Sequence, residues 1–397
     1  MTPTPPTVSV SRKGEERLRS GHLWVFGDDL REVPSGLEAG EWVRVRSRRG
    51  DLLGTGTLNL ASRISLRMVS RREVFPGPSF LCDRIREAIR RREEAGMGDL
   101  PALRLLYSEG DFLPGLIADR YGSMIVLQIL TAGMERAREA ILSGLIDVCS
   151  PRVVCERSEG AGRRQEGLPE RRGILWGEGP PAEEIELDGL RFRVYAETGP
   201  KTGFFLDQRE NRRIVRELSA GRTVLDGFCS SGAFGMYALA GGAERVVAID
   251  ASEPAVEAAR AHAAANGFAS RWEGRAGDLF REMREMLETG RRFGLVVLDP
   301  PAFAKTREGR AGALRGYRDI NRLGFSLVEE GGILATSSCT QLIDMAKWME
   351  ALREAAAEAR ADAVLLRRGG QPPDHPVLLG MPETEYLKFA VFRVGKP

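Results

Sequence analysis

From about residue 196 onward, short apolar runs alternate with segments of helical period. Strands are predicted at 223–227, 245–250, 293–299 and 332–337, and helices at 253–266, 314–330 and 341–360. Each strand is short and almost wholly apolar, as strands are when both faces of a parallel sheet are covered. Alternating β and α units at this spacing leave few solutions besides a doubly wound α/β domain.

In such sheets ligands bind beyond the carboxyl ends of the strands. Val224-Leu225-Asp226-Gly227-Phe228-Cys229-Ser230-Ser231-Gly232-Ala233-Phe234-Gly235 reads as a strand, a tight loop of small residues and a helix. Small residues let backbone approach a ligand closely. Asp250, followed by Ala251, ends the next strand 24 residues after Asp226. A carboxylate there can accept both ribose hydroxyls of an adenosine. A dinucleotide site wants G-x-G-x-x-G, which seats a pyrophosphate on the helix N-terminus. Gly227, Gly232 and Gly235 lack that spacing. The loop therefore disfavours NAD and FAD and suits an adenosyl ligand without phosphate, such as S-adenosyl-L-methionine. The alternative is that the glycines only permit a sharp turn. Candidate cofactor residues are Asp226, Phe228, Ser230, Gly232, Asp250 and Ala251, with Asp278 and Leu279 after a predicted third strand.

Asp299-Pro300-Pro301-Ala302-Phe303 follows another buried strand. Two prolines fix a rigid turn there and hold Asp299 at the edge where ligands bind. Its carboxylate can take a base's amino hydrogens while Pro300, Pro301 and Phe303 contact the ring. Cys339 lies just after the next strand and just before the predicted helix at 341–360. A helix N-terminus or a positive neighbour lowers a thiol from its usual value of about 8.5. The alternative is a thiol packed as a small hydrophobe. A thiolate has a chemical use here. Carbon-5 of cytosine is a poor nucleophile, and adding sulfur at C6 makes it enamine-like. Asp299 is placed to hydrogen-bond or protonate N3.

The front of the chain is different. Val43 and Val45 alternate with Arg44 and Arg46, and Ile64, Leu66 and Met68 with polar residues, which predicts a small β-rich domain over 1–73. Residues 79–195 read as an α+β domain, with an Arg- and Gly-rich mobile loop at 160–173. Residues 196–397 form the α/β domain. Net charge is only +2, yet residues 1–72 carry 13 basic and 8 acidic groups, so the basic excess lies at the front. Only six of the 58 basic residues are lysine. Arginine forks suit phosphate pairing, although an arginine-biased genome gives the same count. Five cysteines without C-x-x-C spacing and three scattered histidines argue against a disulfide framework and a metal centre. Residues 1–10 do not read as a signal peptide, and no apolar run approaches a membrane span. A cytoplasmic protein is expected.

These residues resemble the RlmI-like family of 23S rRNA (cytosine-C5)-methyltransferases. The likeness rests on Gly199-Pro200-Lys201-Thr202-Gly203-Phe204-Phe205-Leu206-Asp207-Gln208-Arg209-Glu210-Asn211-Arg212, on Asp299-Pro300-Pro301-Ala302-Phe303 and on Ser338-Cys339. It rests also on Asp374-His375-Pro376-Val377 and on the run from Glu109 to Tyr121. It spans essentially the whole chain. It implies an N-terminal PUA domain, a central α+β domain and a class I methyltransferase domain whose seven-stranded sheet ends antiparallel. It also implies S-adenosyl-L-methionine as cofactor and 23S rRNA as partner, with neither DNA nor membrane, and it leaves a homodimer open. Lys201, Phe204 and Gln208 would line the methionine end of the cofactor site, Asp250 the ribose and Asp278 the adenine. Cys339 would be the nucleophile, His375 would face substrate, and Arg44 and Arg46 would grip RNA backbone. The family's usual Phe-Ser-Tyr-Thr-Gly is Phe228-Cys229-Ser230-Ser231-Gly232 here, so loop contacts change while the turn survives. Two further readings stand beside this one. They are methylation of an exocyclic amino group, which needs no Cys339, and a non-catalytic RNA-binding assembly factor.

Overall fold

The computed structural model describes residues 5–75, 77–304, 306 and 308–396. They divide into two compact units. The first holds the chain up to Ile185, Arg193–Leu206 and Pro373–Thr384; the second holds Glu186–Phe192, Asp207–Pro372 and the chain from Glu385.

The second unit is built on seven strands: β1 (Thr223–Gly227), β2 (Arg245–Asp250), β3 (Trp272–Ala276), β4 (Phe293–Leu298), β5 (Val328–Ser338), β6 (Asp362–Gly369) and β7 (Lys388–Gly395). Their order is β3-β2-β1-β4-β5-β7-β6. All run parallel except β7, which is antiparallel to both β5 and β6. This is the doubly wound sheet expected from the sequence, including its antiparallel strand. The chain steps outward from β1 to β3, then returns to lay β4 on the other side of β1. That reversal opens a crevice at the carboxyl ends of β1 and β4.

The helices are α1 (Arg209–Glu217), α2 (Ala233–Ala240), α3 (Glu253–Ala265), α4 (Leu279–Glu288), α5 (Arg310–Leu327) and α6 (Met345–Glu358). Side-chain caps set where three of them start. Ser252, Asp278 and Asp344 accept the backbone N–H of Ala255, Arg281 and Lys347. The last cap corrects a prediction, because α6 begins at Met345 and not at 341. Cys339 is therefore not at a helix N-terminus. Met283, Phe293, Val296, Leu298, Tyr317, Ile320, Phe325, Trp348 and Leu352 join one buried core.

The first unit has two five-stranded sheets. Thr7–Ser9, Trp24–Val25, Glu41–Arg46, Leu52–Leu58 and Leu66–Ser70 make one. Ala102–Tyr107, Leu116–Tyr121, Met124–Ile129, Val153–Ser158 and Arg171–Gly177 make the other. Residues 160–173, expected to be a mobile loop, are ordered instead. They contain a short helix, Ala161–Gln165, and open the strand Arg171–Gly177. The cause is buried charge. The Arg163 side chain is fully buried and donates to the Ile129 carbonyl (2.6 Å), the Pro169 carbonyl (2.5 Å) and Glu135 (2.9 Å). The Glu166 carboxylate accepts from Asn59 (3.0 Å), Ser62 (2.7 Å) and Arg67 (3.2 Å). Composition made the segment look solvated; tertiary ion pairing holds it. Among the described residues no helix is long and apolar enough to cross a membrane.

Candidate active site

Asp226, next to last in β1, is fully buried, and its Oδ2 accepts the Gly235 N–H at 2.8 Å. Among the described residues Oδ1 has no hydrogen-bond partner. Burial pushes the carboxyl up to about 7, with the charges of Asp299 and Asp250 adding to the effect. The loop after β1 is unusually tight. Phe228 (φ 60°), Ser230 (φ 47°) and Gly232 (φ 76°) are all left-handed. Two of the three are not glycine, so the loop stores backbone strain that the surroundings must hold. Gly232 has a further constraint, because a Cβ there would lie 2.7 Å from the Ala259 Cβ.

Asp250 at the end of β2 holds this loop. One oxygen accepts the Ser230 N–H and the other the Ser252 N–H, each at 2.9 Å. A carboxylate has about four acceptor positions, so capacity remains for ribose hydroxyls. Ala251 beside it is exposed. Asp278 is exposed as well, but its Oδ1 is committed to capping α4, accepting the Arg281 N–H at 2.9 Å. Leu279 is buried in the core below.

At the end of β4, Asp299 accepts Gln208 Nε2 at 2.8 Å and the Ser337 hydroxyl. Burial pushes its carboxyl up to about 6; Asp207 adds to that, while Ser337, Arg212 and Gln208 oppose it. Gln208 is itself fixed, its Oε1 accepting Asn211 Nδ2 at 2.6 Å. Asp207 accepts the Tyr386 hydroxyl at 2.5 Å. Arg212 is buried, its guanidinium 5.7 Å from the Phe234 ring centre, and desolvation lowers its affinity for the proton. The Asp207–Arg212 segment is thus a buried polar support for Asp299.

Pro300 is buried and Pro301 exposed. The Phe303 ring lies 4.8 Å from that of Tyr317, tilted 51°. Cys339, half-buried, comes off the end of β5, which neighbours β4. Its Sγ is 3.9 Å from the Pro300 carbonyl. Cys339 and Asp299 therefore occupy adjoining strand ends, and the hydroxyl of Ser337, two residues before Cys339, bonds Asp299. Sequence reasoning missed two residues here. Tyr317 on α5 pairs with the Thr340 hydroxyl at 2.7 Å. Lys388 on β7 donates to the Thr340 carbonyl at 3.1 Å and the Tyr386 carbonyl at 2.8 Å. Only the antiparallel register, Ser338 opposite Lys388, reveals the second.

The other predicted residues lie in the first unit. Lys201 is exposed with φ 51°, its Nζ 5.0 Å from the Phe205 ring centre. Phe204 is buried, and its N–H donates to the Tyr121 hydroxyl at 3.1 Å. His375 is buried, 2.9 Å from Asp374 and 5.3 Å from the Tyr107 ring centre. Arg44 donates to the Pro5 carbonyl (3.1 Å) and pairs with Glu73 (3.5 Å), and Arg46 donates to the Gly50 carbonyl (2.8 Å).

The second-unit crevice suits an adenosyl sulfonium. Carboxylates close the ends of β1, β2 and β4, and the run from Asp226 to Gly235 contains no lysine or arginine to meet a phosphate. A buried acceptor, Asp226 Oδ1, also stands behind the loop.

Comparison with known proteins agrees. Residues 169–392 match a family model described as S-adenosylmethionine-dependent methyltransferase, and residues 8–71 match a PUA-like domain. A protein of Tolumonas auensis named ribosomal RNA large subunit methyltransferase I is 39% identical over 98% of this chain and 99% of its own length. A Photobacterium profundum protein of the same name is 38% identical over 95% of this chain and 96% of its own. Among solved structures, an S-adenosylmethionine-dependent methyltransferase from Streptococcus mutans superposes with a TM-score of 0.84 at 21% identity. The superposition covers 98% of this chain and all of that one. A second methyltransferase structure, complexed with S-adenosylhomocysteine, gives 0.85 at 21% identity over 98% of this chain and all of its own. These last two show a shared fold.

Proposed function

The chain belongs to the ribosomal RNA large subunit methyltransferase I family, and on that premise we propose that it forms 5-methylcytidine in 23S rRNA through a covalent Cys339–C6 adduct. That it is an S-adenosylmethionine-dependent methyltransferase of ribosomal RNA follows from the family; the base, the position and the adduct are the proposal. The observation that supports it is Cys339 beside Asp299 at adjoining strand ends, with Sγ 3.9 Å from the Pro300 carbonyl.

Phe228, Ser230 and Gly232 would hold the cofactor through loop backbone, and Asp250 and Ala251 would take its ribose. Asp278 and Leu279 would take its adenine, and Gln208, Asp226 and Asp299 would sit at its charged end. When bound, it supplies an electrophilic methyl group on a sulfonium. Cys339 adds its sulfur to C6 of the flipped-out base, the C5–C6 electron pair moves to C5, and C5 becomes nucleophilic. Asp299, with its carboxyl near 6, stays partly protonated close to neutrality and can serve N3. Pro300, Pro301 and Phe303 bound the ring. Loss of the C5 proton and expulsion of sulfur then restore aromaticity. In the first unit, Arg44 and Arg46 are already engaged by the Pro5 and Gly50 carbonyls and Glu73, so the exposed Arg48 and Arg49 beside them would contact RNA phosphates, which position without specifying sequence. Cysteines without disulfides fit a cytoplasmic enzyme.

Cys339→Ala is expected to abolish product while S-adenosylmethionine binding, measured by calorimetry, persists. Full turnover in that variant would sink the adduct and favour methylation of an exocyclic amino group, which Asp299-Pro300-Pro301 and Phe303 could also serve. Mass-spectrometric mapping of rRNA from a deletion strain should show one cytidine lacking its methyl group.

A further inference from the structure

We infer that Lys388 is a positioning residue for Cys339: its ammonium, held in the sheet beside the thiol, keeps Cys339 as the thiolate that adds to the substrate ring. This rests on the nucleophile role proposed above. The geometry comes from β7, the one antiparallel strand of the sheet. Its register sets Lys388 opposite Ser338, the residue before Cys339. Lys388 is only 6% exposed. Its Nζ donates to the carbonyl of Thr340, the residue after Cys339, and to the carbonyl of Tyr386. The ammonium is thus pinned to the strand end that carries the thiol. Both of these acceptors are neutral, and a buried cation held only by neutral carbonyls still favours an anion nearby.

The surrounding charges agree. Burial pushes Lys388 down to about 8, while Cys339, Glu385 and Asp344 pull it upward. The Tyr317 phenol, bonded to the Thr340 hydroxyl at 2.7 Å, is pushed up to about 12, chiefly by burial, and remains neutral. Asp299, the remaining carboxyl at these strand ends, is held by Ser337 and Gln208. An ordinary thiol titrates near ~8.5, so sulfur and nitrogen compete closely for one proton. When the Sγ proton passes to Nζ, an ammonium and a thiolate remain. The thiolate forms the S–C6 bond, and the electron pair returns to sulfur when that bond breaks.

The test is alkylation of Cys339 by iodoacetamide as a function of pH, read by mass spectrometry of its peptide. In the unaltered protein the midpoint should lie below the ordinary ~8.5. Lys388→Met should raise it by about one to two pH units, the effect of removing one nearby opposite charge. Lys388→Arg should restore most of the shift, and the pH profile of kcat should move in parallel. A midpoint at or above the ordinary value in the unaltered protein overturns the inference without need of any variant. So does an unchanged midpoint in folded Lys388→Met. A Cys339→Ala enzyme that still turns over removes the nucleophile reading and this one with it. A dead Cys339→Ala enzyme, together with an ordinary Cys339 alkylation midpoint in the unaltered protein, removes only the role of Lys388.

Discussion

At the scale of single residues, the crevice is defined by carboxyls with unequal surroundings. Asp250 is held by two backbone N–H groups and keeps acceptor capacity, whereas Asp226 is buried with one oxygen unmatched among the described residues. That difference has a consequence for stability. An unfolded Asp titrates near 3.9, and burial raises Asp226 to about 7. Stability tied to its proton is therefore fully present below about pH 4 and is lost as pH rises through about 7. Asp226→Asn keeps an acceptor for the Gly235 N–H and removes the titration. Relative to the variant, the unaltered protein should lose on the order of 1 kcal/mol per pH unit between about pH 4 and 7. Denaturant unfolding across that range measures it, and parallel curves for the two proteins would refute it.

At the scale of elements, caps and buried ion pairs decided what periodicity could not. The apolar runs placed β1 and β2 to the residue, because strands buried on both faces leave little choice of boundary. The start of α6 was misplaced because the Asp344 side chain, not hydrophobic period, sets it. Residues 160–173 looked like a solvated loop because Arg and Gly dominate them. In the fold Arg163 has no exposed side-chain surface and bonds two carbonyls and Glu135. Arg163→Met keeps the apolar stem and removes those bonds. Glu135 retains Arg171 at 3.1 Å, so the loss should stay near the lower end for a broken buried pair, about 3 kcal/mol. Limited trypsin digestion should then cut within 160–173 faster than in the unaltered protein; an equal rate would count against the account.

At the scale of the whole molecule, the uneven charge is the feature that bears on RNA. The first 72 residues carry the basic excess, but much of it is used internally. Arg67 pairs with Glu109 and Glu166, Arg44 with Glu73, and Arg71 donates to the carbonyls of Leu18 and Gly21. Arg48 and Arg49, at an exposed turn, are among those left facing solvent. Each phosphate contact contributes about one to the slope of log K against log salt. Replacing Arg48 and Arg49 with Ala should lower that slope for rRNA by about two and leave turnover at saturating RNA intact. An unchanged slope would place the RNA elsewhere.

Local patterns in the chain were enough to read the doubly wound sheet, the tight loop after β1 and the placing of Asp250, Asp299 and Cys339 at strand ends. These follow from local patterns: apolar runs, glycine spacing, paired prolines. Tertiary structure alone decided which charges face one another. Lys388 and Cys339 are far apart in the chain and share no motif. Lys388 reaches the strand end that carries Cys339 because β7 inserts antiparallel beside β5 and sets Ser338 opposite Lys388. In the same way Gln208 and Ser337 converge on Asp299 from different elements. Local periodicity specifies an element and its buried face. Long-range pairing specifies the neighbours, and a charge takes its ionisation from its neighbours.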